Sequence, residues 1–348
     1  MEDMADGSVA GRSILVAGGT GSLGQALVQR LLSGAAGRPE RVVVLSRDEA
    51  KQHEMRVAWA RLVAATDEVI YADHRRSLHF RIGDVRDPDA VAAAVEGMDI
   101  VVHAAALKQV PTCEYFPHEA MRTNVGGAHN LMVAVARTRR PVEAVVGVST
   151  DKAVQPVNVM GMTKALQERV MIAAQIGLPA TRVLTVRYGN VLASRGSVVP
   201  HFREQVRAGG PVTLTDPAMT RFLLPMSAAV DAVLLALARG ERGEILVPRV
   251  ASARIVDVAR ALIGERGVAM VTTGVRPGEK LHEVLIAAEE SHRAEDFGDH
   301  WRIRPMLPEL APPGAAPGPG WAYGSETRPL TPDAVRDLLA RNGLIDEA

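Results

Sequence analysis

Short aliphatic runs alternate with longer amphipathic segments through the first two-thirds of this 348-residue chain. The runs are Ile14–Ala17, Val42–Leu45, Ile100–His103, Val145–Val148 and Val183–Val186. Continuous apolar runs flanked by helical patterns are typical of parallel strands that are buried on both faces. The alternation therefore predicts an α/β fold with a Rossmann-like, doubly wound parallel sheet.

The rhythm changes after the fifth run, where turns and loops become more frequent. A lobe in that position is well placed to close over a ligand at the carboxyl ends of the strands. A later stretch rich in proline and glycine predicts a linker or extended wrap before a last helix. We expect a flexible N-terminus (1–10) and a cofactor-binding Rossmann domain (11–190), to which later segments of the chain return. A mainly substrate-binding lobe (191–305) and a tail (306–348) should follow. Within the tail, the linker is expected at 308–320 and the helix from about Thr331.

Charge and cysteine content argue against several classes of protein. Forty Lys and Arg residues balance 40 Asp and Glu residues, so the total charge does not favour a nucleic-acid partner or an anionic membrane surface. The single cysteine, Cys113, cannot form an intrachain disulfide, which fits a reducing cytoplasm. The acidic N-terminus lacks an apolar core, and no stretch reaches the roughly 18 apolar residues of a membrane span. We expect a cytoplasmic protein without a metal cluster.

A glycine-rich segment follows the first predicted strand and precedes a helical pattern that begins at Gln25. The segment consists of Gly18, Gly19, Thr20, Gly21, Ser22, Leu23 and Gly24. Glycines permit a tight turn and let backbone N–H groups approach a pyrophosphate at the positive end of a helix. Its place between a strand and a helix favours a dinucleotide site over a purely structural turn.

The end of the second predicted strand bears on the choice of cofactor. Ser46 and Arg47 stand where an NAD-preferring site commonly places an acidic residue, and they offer room and a guanidinium for a 2′-phosphate. This favours NADP over NAD, although Asp48 and Glu49 lie close by and Arg47 could instead lie on a solvated loop.

Two further strand ends add candidate cofactor contacts. Asp84, followed by Val85, comes after the third strand-like run and could accept a hydrogen bond from an adenine amino group. Ala104, Ala105 and Ala106 follow the fourth run. Small residues there would let the backbone lie flat against the cofactor, or would pack a helix tightly on the sheet.

Six further motifs extend the pattern beyond the cofactor segment: Ala105–Pro111, Ser149–Ala153, Arg187–Val191, Ser194–Pro200, Met219–Phe222 and Arg276–Glu283. With that segment, they resemble the UDP-N-acetylglucosamine 4,6-dehydratases of bacterial glycan biosynthesis, which are extended short-chain dehydrogenases. The resemblance covers about residues 11–305. It implies that NADP takes a hydride from C4 of the sugar, that water leaves across C5 and C6, and that the hydride returns to C6. Such an enzyme needs acids and bases but no metal.

The resemblance implies catalytic roles for three consecutive residues after the fifth predicted strand. Thr150 would hydrogen-bond the C4 oxygen, Asp151 would act as the acid at the C6 hydroxyl, and Lys152 would remove the C5 proton. Without the surrounding motif, an adjacent Asp-Lys pair would indicate a solvated surface ion pair.

Lys164 matches the lysine of the Tyr-x-x-x-Lys pair that holds the nicotinamide ribose in these enzymes. One helical turn earlier the tyrosine is replaced by Met160, whose thioether cannot take a proton. Either Thr150, Asp151 or a hydroxyl poised by Lys164 serves as the C4 base, or activity is impaired. Methionine here resembles the branch that retains the C5 configuration, whereas the short chain and its 290–305 ending resemble the inverting branch. We favour retention.

By the same resemblance, Arg221 and Arg276 would clamp the pyrophosphate of a UDP-sugar with planar guanidinium forks. The other expected substrate contacts are Asn190 to a phosphate or sugar hydroxyl, Ser197 and Val198 through their backbone, Glu279 to the ribose hydroxyls, and Lys108 to the sugar or to solvent. His103 is expected to pack at the end of its strand, and Cys113 receives no role.

Two other functions stay open. A UDP-sugar 4-epimerase or a 5,6-dehydratase would use the same cofactor site, although the Asp151–Lys152 pair favours elimination. A non-catalytic NADP-binding regulator would bind the cofactor without turnover. Because related enzymes assemble as dimers or hexamers, we also expect a homo-oligomer.

Overall fold

A computed structural model describes residues 8–63, 77–192, 194, 196–311 and 320–345, without the side chains of residues 60–63. Parts of the predicted N-terminus and linker, and Arg195 of the fourth motif, lie outside the described residues. None of the helices in the described ranges combines the length and the apolar character that a bilayer crossing requires.

A nine-stranded sheet forms the centre of the molecule. Its strands in spatial order are β14 (Ala294–Asp296), β15 (His300–Ile303), β10 (Ile245–Pro248), β6 (Arg182–Tyr188), β5 (Ala144–Thr150), β4 (Ile100–His103), β1 (Ser13–Ala17), β2 (Arg41–Ser46) and β3 (Leu78–Ile82). The seven strands from β10 to β3 run parallel, and β15 and β14 are antiparallel additions at one edge.

Helices cover both faces of this sheet, because the strands are apolar on both sides. On one face lie α1 (Ser22–Leu32), α2 (Glu49–Val63) and α9 (Met226–Arg239). On the other face lie α3 (Pro88–Val95), α6 (Gly127–Arg137) and α7 (Val159–Ala174). Each face has its own core: Leu27 packs with Val230 on the first and Val95 with Leu131 on the second. The predicted doubly wound α/β fold is therefore confirmed.

A second core lies in the C-terminal part of the chain, between helices α8 (Val198–Arg207), α10 (Ile255–Ile263) and α12 (Pro332–Arg341). Three small sheets accompany it among the described residues. The first consists of β7 (Asn190–Val191), β9 (Thr220–Leu224) and β11 (Ala251–Arg254), and the second of β8 (Val212–Leu214) and β12 (Met270–Thr272). The third consists of β13 (Val284–Ile286) and β16 (Tyr323–Gly324). Val335 and Leu339 of α12 are fully buried in this core. The end of the chain is thus built into the lobe.

Short helical segments complete the fold. They are α4 (Val110–Tyr115), α5 (Pro117–Ala120), a π-helical turn (Met121–Gly126), the 3₁₀ turns Asp151–Ala153 and Gln175–Gly177, and α11 (Ala288–Ser291). At the other end of the chain, Val9 is fully buried in the core on the α1 face of the central sheet.

Candidate functional site

The glycine-rich segment forms the turn between β1 and α1. Gly18 has a φ of +83°, and a Cβ atom added to it would lie 2.6 Å from the backbone nitrogen of Ala105. Only glycine fits this left-handed position against a neighbouring backbone. Helix α1 then begins at Ser22 without a side-chain cap, so the first N–H groups of the helix are suited to bind an anion.

Two depressions meet at the carboxyl edge of the parallel strands. The glycine-side cleft has a volume of about 380 Å³ and includes Gly18, Gly21, Ser22, Leu23, Gly24, Ala104, Ala106 and Lys164 in its lining. The lobe-side cavity has a volume of about 550 Å³ and includes Lys152, Asn190, Ser197, Val198, Arg221, Arg276, Glu279 and Glu283. Lys108, Thr150, Met160, Val191 and Ser194 line both. The predicted substrate residues and part of the predicted cofactor residues are thus brought to adjoining spaces.

The remaining predicted cofactor residues lie near the ends of β1 to β4, outside the lining of the cleft. The hydroxyls of Thr20 and Ser46 lie 2.7 Å apart. Val85 is buried against Gly127. Ala105 packs on the core beneath.

The charges at the end of β2 are distributed unevenly. One carboxylate oxygen of Asp48 accepts from the backbone N–H of Lys51 at 3.0 Å, and the other pairs with the Lys51 ammonium. This acidic side chain is therefore committed to the first turn of α2. Arg47 is 57% exposed, with a guanidinium nitrogen 3.7 Å from Asp84 Oδ2. The cation at this strand end is thus more exposed than the nearby anion, whose side chain is 33% exposed and bonded to Lys51.

Asp84 is held by Arg86, whose Nη2 and Nε donate to Asp84 Oδ2 at 2.7 and 2.9 Å. Burial alone would raise the pKa of Asp84, but the hydrogen bonds from Arg86 outweigh it and lower the pKa. Arg86 also donates to Glu119 at 2.6 Å. The Asp84 carboxylate is thus an ionised acceptor in a fixed position.

Lys164 is a buried cation on α7 that faces the glycine-side cleft. Its Nζ donates to the carbonyl of Val148 at 2.5 Å and to Gln167 Oε1 at 2.6 Å. Burial lowers the pKa of Lys164 to about 8, against the opposing charge of Glu168. Nearby His103 is fully buried, and its burial together with the charge of Lys164 lowers its pKa to about 3. His103 is therefore a neutral core residue at physiological pH.

Met160 lies one turn before Lys164 and is 5% exposed, packed with Cys113 and Ala120. Met160 lines both the glycine-side cleft and the lobe-side cavity, and its thioether offers no group that exchanges a proton there. The adjacent Thr163 hydroxyl is used internally: it accepts from Asn124 Nδ2 at 2.9 Å and donates to the carbonyl of Met160 at 2.8 Å. The helix thus presents a thioether to the cleft at the position where the family resemblance predicts a tyrosine.

Asn124 is a structural residue that the sequence did not reveal. Its amide exchanges hydrogen bonds with Leu107, donating to the carbonyl at 3.0 Å and accepting from the N–H at 2.8 Å. Together with its bond to Thr163, this ties the loop after β4 to α7. Asn124 lies in a π-helical turn, a conformation for which the sequence carries no periodic signal.

Lys152 lies at the centre of a buried charged cluster in the lobe-side cavity. Its Nζ is 3.1 Å from Asp151 Oδ1, 3.1 Å from Glu283 Oε1 and 3.3 Å from Asn190 Oδ1. Thr150 Oγ1 donates to Asp151 Oδ1 at 2.9 Å. Burial pulls the pKa of Lys152 down, but the Asp151 and Glu283 carboxylates outweigh it and raise the pKa above its ordinary value. Lys152 is therefore an ammonium at neutral pH.

A second buried ion cluster supports the end of β5 from below. Arg187 donates to both carboxylate oxygens of Glu168, at 3.0 and 2.7 Å, and also pairs with Glu290. The Ser149 hydroxyl donates to Glu168 at 2.5 Å. This network joins β5, β6, α7 and α11, and includes Ser149, the residue before Thr150. The sequence did not reveal it, because Glu168 and Arg187 stand far apart in the chain.

The predicted substrate arginines differ in their surroundings. Arg221 is 7% exposed and donates to the carbonyls of Thr220, Lys280 and Leu281 at 2.8, 3.0 and 3.1 Å. It braces the segment that carries Glu283. Arg276 is 62% exposed, with its guanidinium 3.9 Å from Glu279. Arg276 is therefore free to meet a ligand, whereas much of the donor capacity of Arg221 is already used.

Three buried side-chain oxygens of the residues that line the lobe-side cavity have no hydrogen-bond partner among the described residues. They are Ser197 Oγ, Glu279 Oε2 and Glu283 Oε2. Ser197 stands immediately before α8, so its hydroxyl and the first N–H groups of that helix are near each other. Buried polar atoms without partners are costly, and these three could be satisfied by a polar ligand.

The chain is similar to known proteins over most of its length. The family model described as "Polysaccharide biosynthesis protein" matches residues 14–305. A curated relative, the UDP-glucose 4-epimerase of Rickettsia conorii, is 43% identical over 297 residues, covering 84% of this chain and 82% of the relative. The protein of that name from Rickettsia prowazekii is 42% identical over 298 residues, with the same shares covered.

Two solved structures share the fold. Pen from Bacillus thuringiensis superposes with a TM-score of 0.85 at 30% identity, covering 97% of this chain and 99% of Pen. DesIV from Streptomyces venezuelae, a dTDP-glucose 4,6-dehydratase with NAD bound, gives a TM-score of 0.65 at 25% identity, covering 77% of this chain and 86% of DesIV. The chain therefore belongs to the polysaccharide biosynthesis family of the extended short-chain dehydrogenases, enzymes that modify nucleotide sugars.

Proposed function

We propose that the protein is a nucleotide-sugar dehydratase that converts UDP-N-acetylglucosamine to a UDP-4-keto-6-deoxy-N-acetylhexosamine. The observation that carries this proposal is the partly buried Lys152 ammonium, which lies 3.1 Å from each of two carboxylates and lines the lobe-side cavity two residues after Thr150, which lines both spaces. Eliminating water across C5 and C6 needs such an acid–base group. Oxidation or inversion at C4 alone needs a base for the C4 hydroxyl proton, but no group that removes a proton from C5 and no acid at C6.

NADP is the proposed cofactor, and when bound it would supply the oxidation at C4 and the return of hydrogen to C6. The uncapped start of α1 and the close turn at Gly18 fit its pyrophosphate, and Lys164 fits the nicotinamide ribose. NADP is favoured over NAD because Asp48 is committed to Lys51 while Arg47 is exposed.

UDP-N-acetylglucosamine would occupy the lobe-side cavity. The exposed Arg276 guanidinium, the start of α8 at Val198 and the Ser197 hydroxyl suit the pyrophosphate. Glu279 suits the ribose hydroxyls and Asn190 a sugar hydroxyl or a phosphate. Lys108, which lines both spaces, suits the sugar.

The proposed chemistry divides among the residues of the cluster. Thr150 would hold the C4 oxygen, Lys152 would exchange the C5 proton, and a carboxyl group beside Lys152 would protonate the departing C6 hydroxyl. Met160 cannot be the C4 base, so we assign that proton transfer to Thr150 with Asp151, whose side chains are already joined at 2.9 Å. We propose that the C5 configuration is retained.

A UDP-sugar 4-epimerase is the second candidate, because the curated Rickettsia relatives carry that name. The two functions differ in the mass of the product. Incubation with UDP-N-acetylglucosamine, followed by mass spectrometry, is expected to show the loss of one water molecule. An isomer of unchanged mass would instead support epimerisation. Bound cofactor without any turnover would support a regulator.

Self-association is a further part of the proposal. Tyr115 and Phe116, at the end of α4, are 83% and 59% exposed, and Met162 and Leu166 of the neighbouring α7 are 48% and 53% exposed. Large apolar side chains grouped on adjacent helices are typical of an interface. Light scattering is expected to give at least a dimer. The cytoplasm stays the proposed location, in keeping with a single cysteine that is buried and unpaired.

A further inference from the structure

Glu283 faces the lobe-side cavity, whereas Asp151 lies behind Lys152. Glu283 belongs to the lining of the cavity, and its Oε1 is 3.1 Å from Lys152 Nζ. The side chain of Asp151 is fully buried and is part of neither lining. Its Oδ2, which also has no hydrogen-bond partner among the described residues, points toward Gly189, where an added Cβ atom would lie 3.0 Å away. Glu283 is itself only 2% exposed, but it is the carboxylate of this pair that borders the cavity, so a ligand there would meet Glu283 before Asp151.

The second carboxylate oxygen of Glu283 has no hydrogen-bond partner among the described residues. The Lys280 ammonium lies 3.9 Å from it and donates to the carbonyl of Val154 at 2.5 Å. A buried carboxylate oxygen left without a donor is costly, and a substrate hydroxyl would supply one.

We propose, on the basis of the proposed function, that Glu283 is the acid that protonates the departing C6 hydroxyl, and that Asp151 positions Lys152 and acts only through Thr150, in the proton transfer at C4. This assignment differs from the role that the family resemblance gives to Asp151. It adds a catalytic carboxyl group that stands far along the chain from the Thr150–Lys152 motif.

The proton balance of this step closes without any further reagent. A proton first passes from the Lys152 ammonium to Glu283, leaving a neutral amine and a carboxylic acid. Once the sugar carries a ketone at C4, the amine takes the C5 proton. The C5–H electron pair forms the C5–C6 double bond as the C6–O bond breaks, and the leaving oxygen takes the Glu283 proton and departs as water. Lys152 and Glu283 are then an ammonium and a carboxylate again.

The backbone of Glu283 is fixed in the way that such a role requires. Its N–H donates to the Ser325 hydroxyl at 2.9 Å, and its carbonyl accepts from the Ser325 N–H at 2.8 Å. Strand β13 begins at the next residue. Pre-organisation of this kind limits the rearrangement needed to reach the productive geometry.

The test is a comparison of Glu283→Gln with Asp151→Asn in the full-length protein loaded with cofactor. A positioned general acid is commonly worth about 100- to 10,000-fold. Glu283→Gln is expected to lower water loss from UDP-N-acetylglucosamine by at least about 100-fold. It should still develop the near-ultraviolet absorbance of reduced cofactor when substrate is added, because oxidation at C4 does not need Glu283. Asp151→Asn is expected to slow the appearance of that absorbance as well.

A second variant guards against misfolding and supplies an independent readout. Glu283→Ala opens a space beside Lys152 that formate can enter, so added formate is expected to restore part of the water loss. The proposal is overturned if Asp151→Asn accumulates reduced cofactor while Glu283→Gln dehydrates within about tenfold of the wild type. It is also overturned if formate rescues Asp151→Ala and not Glu283→Ala. If the wild type neither reduces its cofactor nor releases water with this substrate, the proposed function fails first.

Discussion

The Ser325 hydroxyl accepts a hydrogen bond from the backbone N–H of Glu283 at 2.9 Å, which ties the tail of the chain to the charged cluster around Lys152. Ser325 is fully buried and also lies 2.6 Å from Thr220 Oγ1. Thr220 in turn contacts His282 Nδ1 at 2.8 Å. The segment after the proline-rich stretch is thus part of the framework of the site, although it lies beyond the 14–305 range of the family match.

Replacing Ser325 by alanine tests this link. The change leaves the Glu283 N–H without its buried acceptor, which should cost about 1–3 kcal/mol of unfolding free energy. It should also lower turnover, because the backbone that positions the Glu283 side chain loses one of its anchors. Urea unfolding and product formation measure the two effects. Thr327→Ala, at an exposed position two residues later, should change neither, and equal effects of both changes would contradict the assigned role of Ser325.

Met160 and Lys164 are expected to respond differently to substitution. Met160→Leu keeps the volume and should cost less than about 1.5 kcal/mol. Because a thioether exchanges no proton, activity should stay within a few-fold of the wild type. Lys164→Met should reduce turnover by about 100-fold or more, since the buried ammonium beside the cleft is lost. A large loss of activity in a folded Met160→Leu protein would mean that this side chain takes part in the chemistry.

The lowered pKa of His103 predicts how the free energy of unfolding depends on pH. Its folded pKa of about 3 lies below its ordinary value of 6.5, so between these values the unfolded chain binds a proton that the folded protein does not. Stability must therefore fall as pH drops below about 6.5. The cost is about 2 kcal/mol between pH 7 and 5.

His103→Gln should flatten this part of the pH profile by that amount, as measured by urea unfolding at the two pH values. His129 is exposed, and His129→Gln serves as the matched control with an unchanged profile. A profile for His103→Gln as steep as that of the wild type would show that other groups govern this range.

The buried network of Arg187 with Glu168 and Glu290 predicts an unequal response to the removal of its members. Arg187→Met leaves two buried carboxylates without their cation, which should cost at least about 3–5 kcal/mol. Glu290→Gln leaves one guanidinium paired with Glu168 and should cost less. Thermal unfolding of both variants tests the order, and a less stable Glu290→Gln protein would reverse the expectation.

The parts of the molecule that sequence predicted are those that depend on local pattern. The aliphatic runs predicted the parallel strands, because a strand that is buried on both faces of a sheet needs consecutive apolar residues. The glycine segment predicted a close turn, and Gly18 meets Ala105 there. By contrast, β14, β15 and the anchoring by Ser325 depend on where distant segments meet. Lys152 Nζ and Glu283 Oε1 lie 3.1 Å apart, but the two residues are distant in the chain, and no sequence pattern predicts that they meet.

The same limit applies to the charges at the end of β2. Asp48 next to Arg47 left the choice between NADP and NAD open in the sequence. The residues around them in the sequence do not determine which of the two side chains faces a ligand, because both follow the end of the strand. In the structure, Asp48 is bonded to Lys51 while Arg47 is exposed.

Arg47→Ala provides a test of the cofactor preference. Charge-assisted hydrogen bonds are worth about 1.5–3 kcal/mol, so loss of the guanidinium should weaken NADP binding by about 10- to 100-fold. NAD has no 2′-phosphate, so its affinity should change little. Calorimetric titration with each dinucleotide measures the difference. Arg139→Ala provides the control. Arg139 is exposed and lies in the loop before β5, at the amino-terminal ends of the parallel strands, whereas Arg47 follows the carboxyl end of β2. Equal weakening of both dinucleotides by Arg47→Ala would mean that Arg47 contributes general positive charge and does not select the 2′-phosphate.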